Sequence, residues 1–548
     1  MGAFTDGLQE RAVDATPERW VYVPYDQLTR AVGPASADGV GLVLVESRWK
    51  ARRRPYRRQK LALILANQRH FALEALADGV PVRYLTGAGS PGAQLREAAG
   101  ELGDLVCMRP AERELRHDLA SLIDDGLLSV EPHEGWLTTA ADFAAAGDTD
   151  GPWRMDAFYR AVRQRTGILM DDGSPAGGRY SHDADNRERW SGDPAAPEPP
   201  VFEPDAVTLE VADLVESAFA DHPGRVRPAA LPATAADAEA LWSWALAGCM
   251  EHFGPYEDAM SANSQGLFHT RVAPLLNLHR LLPHRVVSDV LDLDIPLNSK
   301  EGFVRQVLGW REFVRHVHDA TDGFRSLPHT ETADRPGDGG YGRWRGEPWD
   351  PSAGPDGGAR GSVLDADGPL PAAWWGQASG LRCLDTVVGE VMEQAWTHHI
   401  PRLMVLSNLG ALLDVSPREL TDWFWVAFVD AYDWVVEPNV LAMGTYGAGD
   451  LMTTKPYVSG APYIDRMSDY CSSCAFHPKR SCPVTPLYWG YLGRHREALA
   501  GNRRMNLPLA SERKRSDEQK AEDARVFRRV RKLLDDGERL TPDALAED

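Results

Sequence analysis

Cysteine is scarce in this chain: six in 548 residues, too few for an extracellular disulfide framework and consistent with a reducing compartment. Basic residues are in deficit as well, 59 Lys plus Arg against 80 Asp plus Glu, for a net charge of −21. A polyanion would therefore have to be met by a local basic surface, not by the overall field of the molecule. No apolar run reaches the ~18 residues of a membrane helix. The nearest, WFWVAFVDAYDWVV, is broken by Asp430 and Asp433. The first twenty residues hold Asp6, Glu10, Asp14 and Glu18 and no apolar stretch, which argues against a secretory leader. A cytoplasmic protein without membrane contact is expected. An ordinary dinucleotide-binding site is not expected, and there is no internal repeat.

What is present reads as an ordinary globular chain, 43% apolar and 25% charged. The length suggests roughly three or four domains or subdomains. Between residues 20 and 140 short β-branched runs (WVYVPYDQL, GVGLVLVES, GVPVRYL, DLVCM) alternate with helix-like stretches. That alternation predicts a Rossmann-like α/β unit with a parallel sheet over 18–145. Ligands in such sheets sit beyond the carboxyl ends of strands, here near Asp26, Gln27, Glu46 and Ser47. A connector over 146–234 follows, its 171–206 stretch rich in Gly, Pro, Asp and Ser and expected to run over the surface. From 235 to 510 apolar residues recur at spacings of three and four, which predicts a large all-α domain. It is interrupted between Thr330 and Gly361 by a Gly- and Pro-rich insertion. A charged tail over 511–548 carries one amphipathic helix through Val526, Val530 and Leu533 and is expected to pack weakly.

Cys471, Cys474 and Cys482 form C-x2-C-x7-C, and Cys383 heads a predicted helix 88 residues before Cys471. Three clustered thiols plus a distant one can make a four-thiolate metal site; the spacing alone leaves an iron–sulfur cluster and tetrahedral zinc both open. Cys107 and Cys249 read as small buried apolar residues. His398 and His399 are adjacent in WTHHIPRLMVLSNLGALL, read as one helix, which would set them about 100° apart and facing different ligands. Core packing and a catalytic role are both open for them. Tyr457 and Tyr463, in KPYVSGAPYI, are placed to present two phenols toward the same pocket. The tryptophans Trp374, Trp375, Trp423, Trp425 and Trp434 read either as core or as an electron-hopping chain. Eight cations fall between Arg48 and Lys60 and four more are Arg494, Arg496, Arg503 and Arg504. Both groups fit either a solvated face or a DNA-facing surface.

With these motifs on the page (VPYDQLT, WRMDAFYRAVRQRTGILMDDGSPAGGRYSHDADNR, FVRQVLGWREFVR, THHIPRLMVLSN, FVDAYDWVVEPNV and YCSSCAFHPKRSCPVTPLYWGYL), the chain resembles the photolyase and cryptochrome superfamily. The resemblance is to the bacterial branch with an iron–sulfur cluster, whose members include (6-4) photolyases. It spans about residues 20 to 509. It implies an N-terminal antenna domain, an interdomain connection and a helical domain holding FAD. By resemblance, FAD would meet Tyr256, His269, Thr270, Gln306, Trp310, Arg311, Asn408, Asp430, Tyr432 and Asn439. The four thiolates of a [4Fe-4S] cluster would be Cys383, Cys471, Cys474 and Cys482, although the loop before Cys482 is shorter than in the branch. A 6,7-dimethyl-8-ribityllumazine antenna would lie by Gln27, Leu28 and Glu46.

The activity so implied is light-driven electron transfer from reduced FAD to a pyrimidine lesion flipped out of UV-damaged DNA. His399 is then the proton-transfer candidate, His398 its support, and Tyr457 and Tyr463 line the lesion pocket. Trp423 and Trp375 match the flavin-reducing chain, but Phe424 stands where the family has a redox-active tyrosine, so the route uses these two alone or borrows Trp425. The leading reading is a monomeric (6-4) photolyase. The alternative is a cryptochrome-like blue-light photoreceptor with the same cluster, and a cofactor-free zinc protein is a third.

Overall fold

A computed structural model describes residues 2–148, 150–327 and 362–546; the insertion between Thr330 and Gly361 lies outside the described residues. Five strands make one parallel sheet: β1 (Arg19–Tyr22), β2 (Val40–Ser47), β3 (Val82–Gly87), β4 (Leu105–Met108) and β5 (Leu128–Glu131), in the order β3-β2-β1-β4-β5. β2 is buried along nearly its whole length, as its continuous apolar run demands of a strand covered on both faces. Strand alternation sends Val21, Leu42, Leu44 and Val106 into one core with Phe71 and Leu76. Tyr22, Val43, Val45 and Cys107 go into another with Leu95, Leu115 and Leu119. The helices Arg58–Ala77 on one side, and Pro91–Leu102 with Arg113–Asp124 on the other, supply those partners. Strand order reverses between β1 and β4, which opens a crevice beyond their carboxyl ends. β5 has no counterpart among the strands expected from the sequence.

The connector does not simply run over the surface. After a two-stranded hairpin (Met170–Asp171 with Ser174–Pro175) it is pinned to the helical domain. The His182 amide donates to Glu301 at 2.9 Å and the Asn186 amide to Glu257 at 2.8 Å, both buried. Arg163, itself buried, donates to the carbonyls of Ile168, Leu169 and Tyr180 and closes the turn between helix and hairpin.

In the helical domain, three segments depart from α geometry into the wider π form: Arg305–Arg311, Arg402–Ser407 and Glu437–Gly444. π insertions shift the side chains that follow onto a new face and are frequent at functional sites. All three follow straight on from α-helical residues, so a 3.6-residue period alone cannot reveal them. The last is anchored by Glu437, fully buried and paired with Arg325 at 3.0 Å, Arg418 at 2.8 Å and His318 at 2.9 Å. Against the cost of burial, Arg325 and Arg418 together with the His318 hydrogen bond hold its carboxyl far below the ordinary carboxylate range.

Two expectations are corrected at the periphery. The tail helix Asp517–Asp535 packs firmly, seating Val530, Leu533 and Leu534 in the main core against Val484–Arg494. Each such side chain contributes about 1.5–3 kcal/mol of burial, which outweighs the charge of the opposite face. The run Arg48–Lys60 is only partly a solvated face: Arg48 and Arg52 are exposed, but Arg54, Arg57 and Lys60 are buried, and Lys60 donates to the carbonyls of Trp425 and Ala431. Cys107 and Cys249 are buried core residues, as expected.

Candidate active site and cysteine centre

The three π segments, the connector and the loop 452–459 enclose a cavity of about 1230 Å³. That exceeds the ~300–1,000 Å³ of most small-molecule pockets, leaving space for a cofactor and a second guest. The π segments contribute Gln306, Trp310 and Arg311; Arg402, Met404 and Ser407; and Asn439, Val440 and Met443. Of the expected cofactor residues, His269, Thr270, Gln306, Trp310, Arg311, Asp430 and Asn439 line it. Three do not. Tyr256 stacks on Phe268 at 5.3 Å outside the cavity wall. Asn408 exchanges hydrogen bonds with Ser459 at 2.9 and 3.1 Å, its amide committed to bracing the loop. Tyr432 faces the crevice of the sheet instead, because the chain turns between Asp430 and Trp434.

Arg311 carries the clearest mark of an absent partner. Its guanidinium lies between Trp136, at 4.1 Å, and Trp434, at 5.4 Å. Nη2 donates to the Leu276 carbonyl, while Nε and Nη1 are buried with no hydrogen-bond partner. Burial lowers its pKa to about 10. Unmet guanidinium donors at a cavity wall are what an anionic diphosphate satisfies, in keeping with a flavin dinucleotide. Asp430, also on the wall, is held bidentate by Arg402 at 2.9 Å for both bonds.

The histidines meet in a way the sequence did not suggest. The helix starts at His399, so His398 is an N-cap residue with extended backbone, φ −74° and ψ 174°. The 100° separation of a helical pair does not apply, and both rings turn into the cavity beside His269. His269 and His398 stack at 4.1 Å, and the ligand atoms of His269, His398 and His399 lie within 4.8 Å of one another. Burial keeps all three neutral, lowering His399 to about 4 and His269 to about 3. Tyr457 and Tyr463 line the same cavity, and burial raises both phenols, so each remains a proton-bearing donor.

The connector supplies residues that sequence reasoning missed: Arg179, Tyr180, Asp183 and Arg187 all face the cavity. With Arg154, Arg160, Lys455 and Arg504 they give it a cationic lining. The motif GGRYSHDADNR was the available signal, hidden because its cations sit in an irregular segment with no period. Of the four late arginines only Arg504 belongs to this lining. Arg494 is paired with Asp414 at 2.7 Å, and Arg496 with Glu512 at 2.7 Å.

Cys383, second residue of the helix Arg382–Gln394, is buried and close enough to Cys471, Cys474 and Cys482 for each to raise its pKa. Burial comes first among the causes, and it also lifts Cys471 to about 11 and Cys482 to about 12. A cation placed among thiols favours their ionised form. Among the described residues, the histidines are the only group of three or more candidate ligands whose ligand atoms lie within 4.8 Å of one another.

Trp423 is fully buried behind the cavity wall, edge-on to Phe424 at 5.2 Å, and Phe424 itself lines the cavity. Trp374 is fully buried in the same core, and Trp375 is 39% exposed. At the sheet, the antenna residues do not assemble into a pocket. Gln27 donates to the carbonyls of Met108 and Arg109, Leu28 is core, and Glu46 is clamped by Arg69 at 2.8 Å through both oxygens. Only Glu46 reaches the adjoining crevice cavity, whose volume is about 90 Å³.

Comparison with known proteins agrees with this architecture. The family model described as deoxyribodipyrimidine photo-lyase-related protein matches residues 21–231. Over 516 residues the chain is 31% identical to the (6-4) photolyase of Agrobacterium fabrum, covering 89% of this chain and 94% of the relative. The crystal structure of a bacterial class III photolyase from Agrobacterium tumefaciens superposes with a TM-score of 0.54. That match is 15% identical in sequence and covers 95% of this chain and 99% of the other.

Proposed function

This chain belongs to the photolyase and cryptochrome superfamily, in its bacterial branch, and from that membership we propose that it is a DNA repair enzyme reversing pyrimidine (6-4) photoproducts under blue light. The observation that carries the reading is one cavity holding Arg311 with its unmet donors, His399 beside His398, and the phenols Tyr457 and Tyr463.

Thr270 and Arg311 would hold the phosphates of FAD, with Gln306, Trp310, Asp430 and Asn439 along its length. When bound, reduced and light-excited FAD supplies the electron that splits the lesion. The protein's own tasks are recognition, orientation and proton handling. Arg187, Arg504 and Lys455 attract the DNA backbone, offsetting the −21 net charge locally. A lesion leaves the duplex at lower cost than a paired base because its stacking is already impaired. Tyr457 and Tyr463 offer hydrogen bonds and ring faces to it. His399 gives and then takes back the proton that a (6-4) rearrangement requires, with the His269–His398 stack fixing its environment.

Blue-light treatment of oligonucleotides carrying either a (6-4) product or a cyclobutane dimer, with products resolved by chromatography, tests this directly. Restored thymines from the (6-4) substrate alone are expected. Repair of the dimer alone, or of neither lesion by a flavin-loaded chain, overturns the reading.

We further propose that the four cysteines hold a [4Fe-4S] cluster. The gathering of the other three thiols around Cys383, Pro483 directly after Cys482 and the softness of a four-thiolate set support iron–sulfur over zinc. Such a centre would tie the helix Arg382–Gln394 to the loop 471–482 and so stabilise the core beneath both. Cys474→Ala is expected to give little soluble protein rather than a folded, inactive enzyme. A normal yield with an unchanged melting curve would show that the core stands without the cluster.

A further inference from the structure

The crevice between β1 and β4, the place where the fold binds ligands and where resemblance puts an antenna chromophore, is filled by the protein itself. We infer that Tyr25, Lys50 and Glu112 close this crevice to any lumazine-sized chromophore, so that light is collected by the flavin without an antenna held here. The flavin half of that statement rests on the functional reading above; the closure does not.

Tyr25 sits just past the end of β1, Glu112 just past β4, and Lys50 on the short helix Trp49–Arg53 after β2. They meet at the strand-order reversal itself. The Lys50 ammonium donates to both oxygens of Glu112, at 2.6 and 2.7 Å, and to the Tyr25 hydroxyl at 2.9 Å. The Tyr25 hydroxyl in turn donates to Glu112. Lys50 also reaches Glu114 at 3.2 Å, and Glu114 binds Arg54 at 2.9 Å. Arg54 and Lys50 both lie over the ring of Trp425, at 4.4 and 5.7 Å, which seals the side facing the helical domain. The Glu114 amide donates to Asp433, tying the plug to the segment that backs the large cavity.

What remains open is about 90 Å³, against the ~300 Å³ at which ligand pockets begin. The Glu112 carboxylate, the Lys50 ammonium and the Tyr25 hydroxyl satisfy one another, so a chromophore entering here would have to break a paired, largely buried network. Breaking one partner away from such a network leaves an uncompensated charge. The basic run Arg48–Lys60, unexplained by DNA contact, finds its use here: two of its cations, Lys50 and Arg54, neutralise the two glutamates that follow β4.

The test is a titration of the purified, flavin-loaded full chain with 6,7-dimethyl-8-ribityllumazine, read by quenching of the lumazine's fluorescence and by equilibrium dialysis. No saturable binding is expected, and the action spectrum of flavin photoreduction is expected to follow flavin absorption with or without added lumazine. Tyr25→Gly removes the ring and leaves Lys50 paired with Glu112, so the variant should fold and gain saturable binding; Tyr25→Phe should stay closed. Stoichiometric binding by the unaltered chain overturns the closure. Binding by Tyr25→Gly no better than by Tyr25→Phe overturns the role given to the ring. Neither measurement uses DNA, so a failure of the repair reading shows up separately, in the lesion assay.

Discussion

His399→Ala is expected to lower the rate constant of lesion repair by about 10²- to 10⁴-fold, the usual span of a positioned acid–base group, with flavin content and photoreduction unchanged. The size follows from the site: His399 is the least buried of three imidazoles that burial holds neutral, and it lies on the cavity shared with Tyr457 and Tyr463. Its pKa near 4 in the free chain comes first from burial, then from Arg305 and Arg402, with Asp183 opposing. Bound DNA brings negative charge into that field and moves the pKa upward. The protonated fraction then grows as pH falls, so repair should slow from about pH 6 to about pH 9, and the slope should vanish in the alanine variant. Single-turnover repair at saturating DNA, measured across that range, checks both parts. An alanine variant that repairs at the parental rate would move the proton to Tyr457 or Tyr463.

Trp423→Phe is expected to slow photoreduction of the flavin by about tenfold or more, since each factor of ten is only ~1.4 kcal/mol of barrier. Phe424 lines the cavity but resists oxidation, which leaves the fully buried Trp423 as the oxidisable ring directly behind it. The proposed route would reach the surface at Trp375, 39% exposed and next to the buried Trp374. Absorbance followed under continuous blue light with an external thiol reads the rate, and binding of lesion DNA to the reduced protein should be untouched. An unchanged rate would assign the first step to Trp310, Trp396 or Trp434, which lie on the cavity wall.

Much of the architecture was legible before the structure. The β2 run GVGLVLVES reads as a central strand because a parallel strand covered on both faces has no polar alternation to keep. The cysteine grouping was equally plain, since thiols are few and their spacing is local. The errors have a common cause in irregular backbone. His398 and His399 look like helix neighbours until the first helical residue proves to be His399. Arg179 and Arg187 look like surface decoration until the connector is seen to be bolted to Glu301 and Glu257. The tail looks loosely attached by its charge, yet one apolar stripe is enough to dock it.

The family resemblance supplied the flavin, lesion and proton-transfer residues, while from the residues alone came the α/β unit, the helical domain and the grouped thiols. These are set by local composition and period, which a chain carries with it into any fold. Tertiary structure alone decided which of those residues share a space. The π segments turn Gln306, Arg311 and Asn439 toward one cavity, and the crevice expected to hold an antenna is closed by Tyr25, Lys50 and Glu112, contributed from the ends of three different strands. No periodicity records such a meeting, because it depends on distances between segments far apart in sequence, set by how the sheet and helices pack.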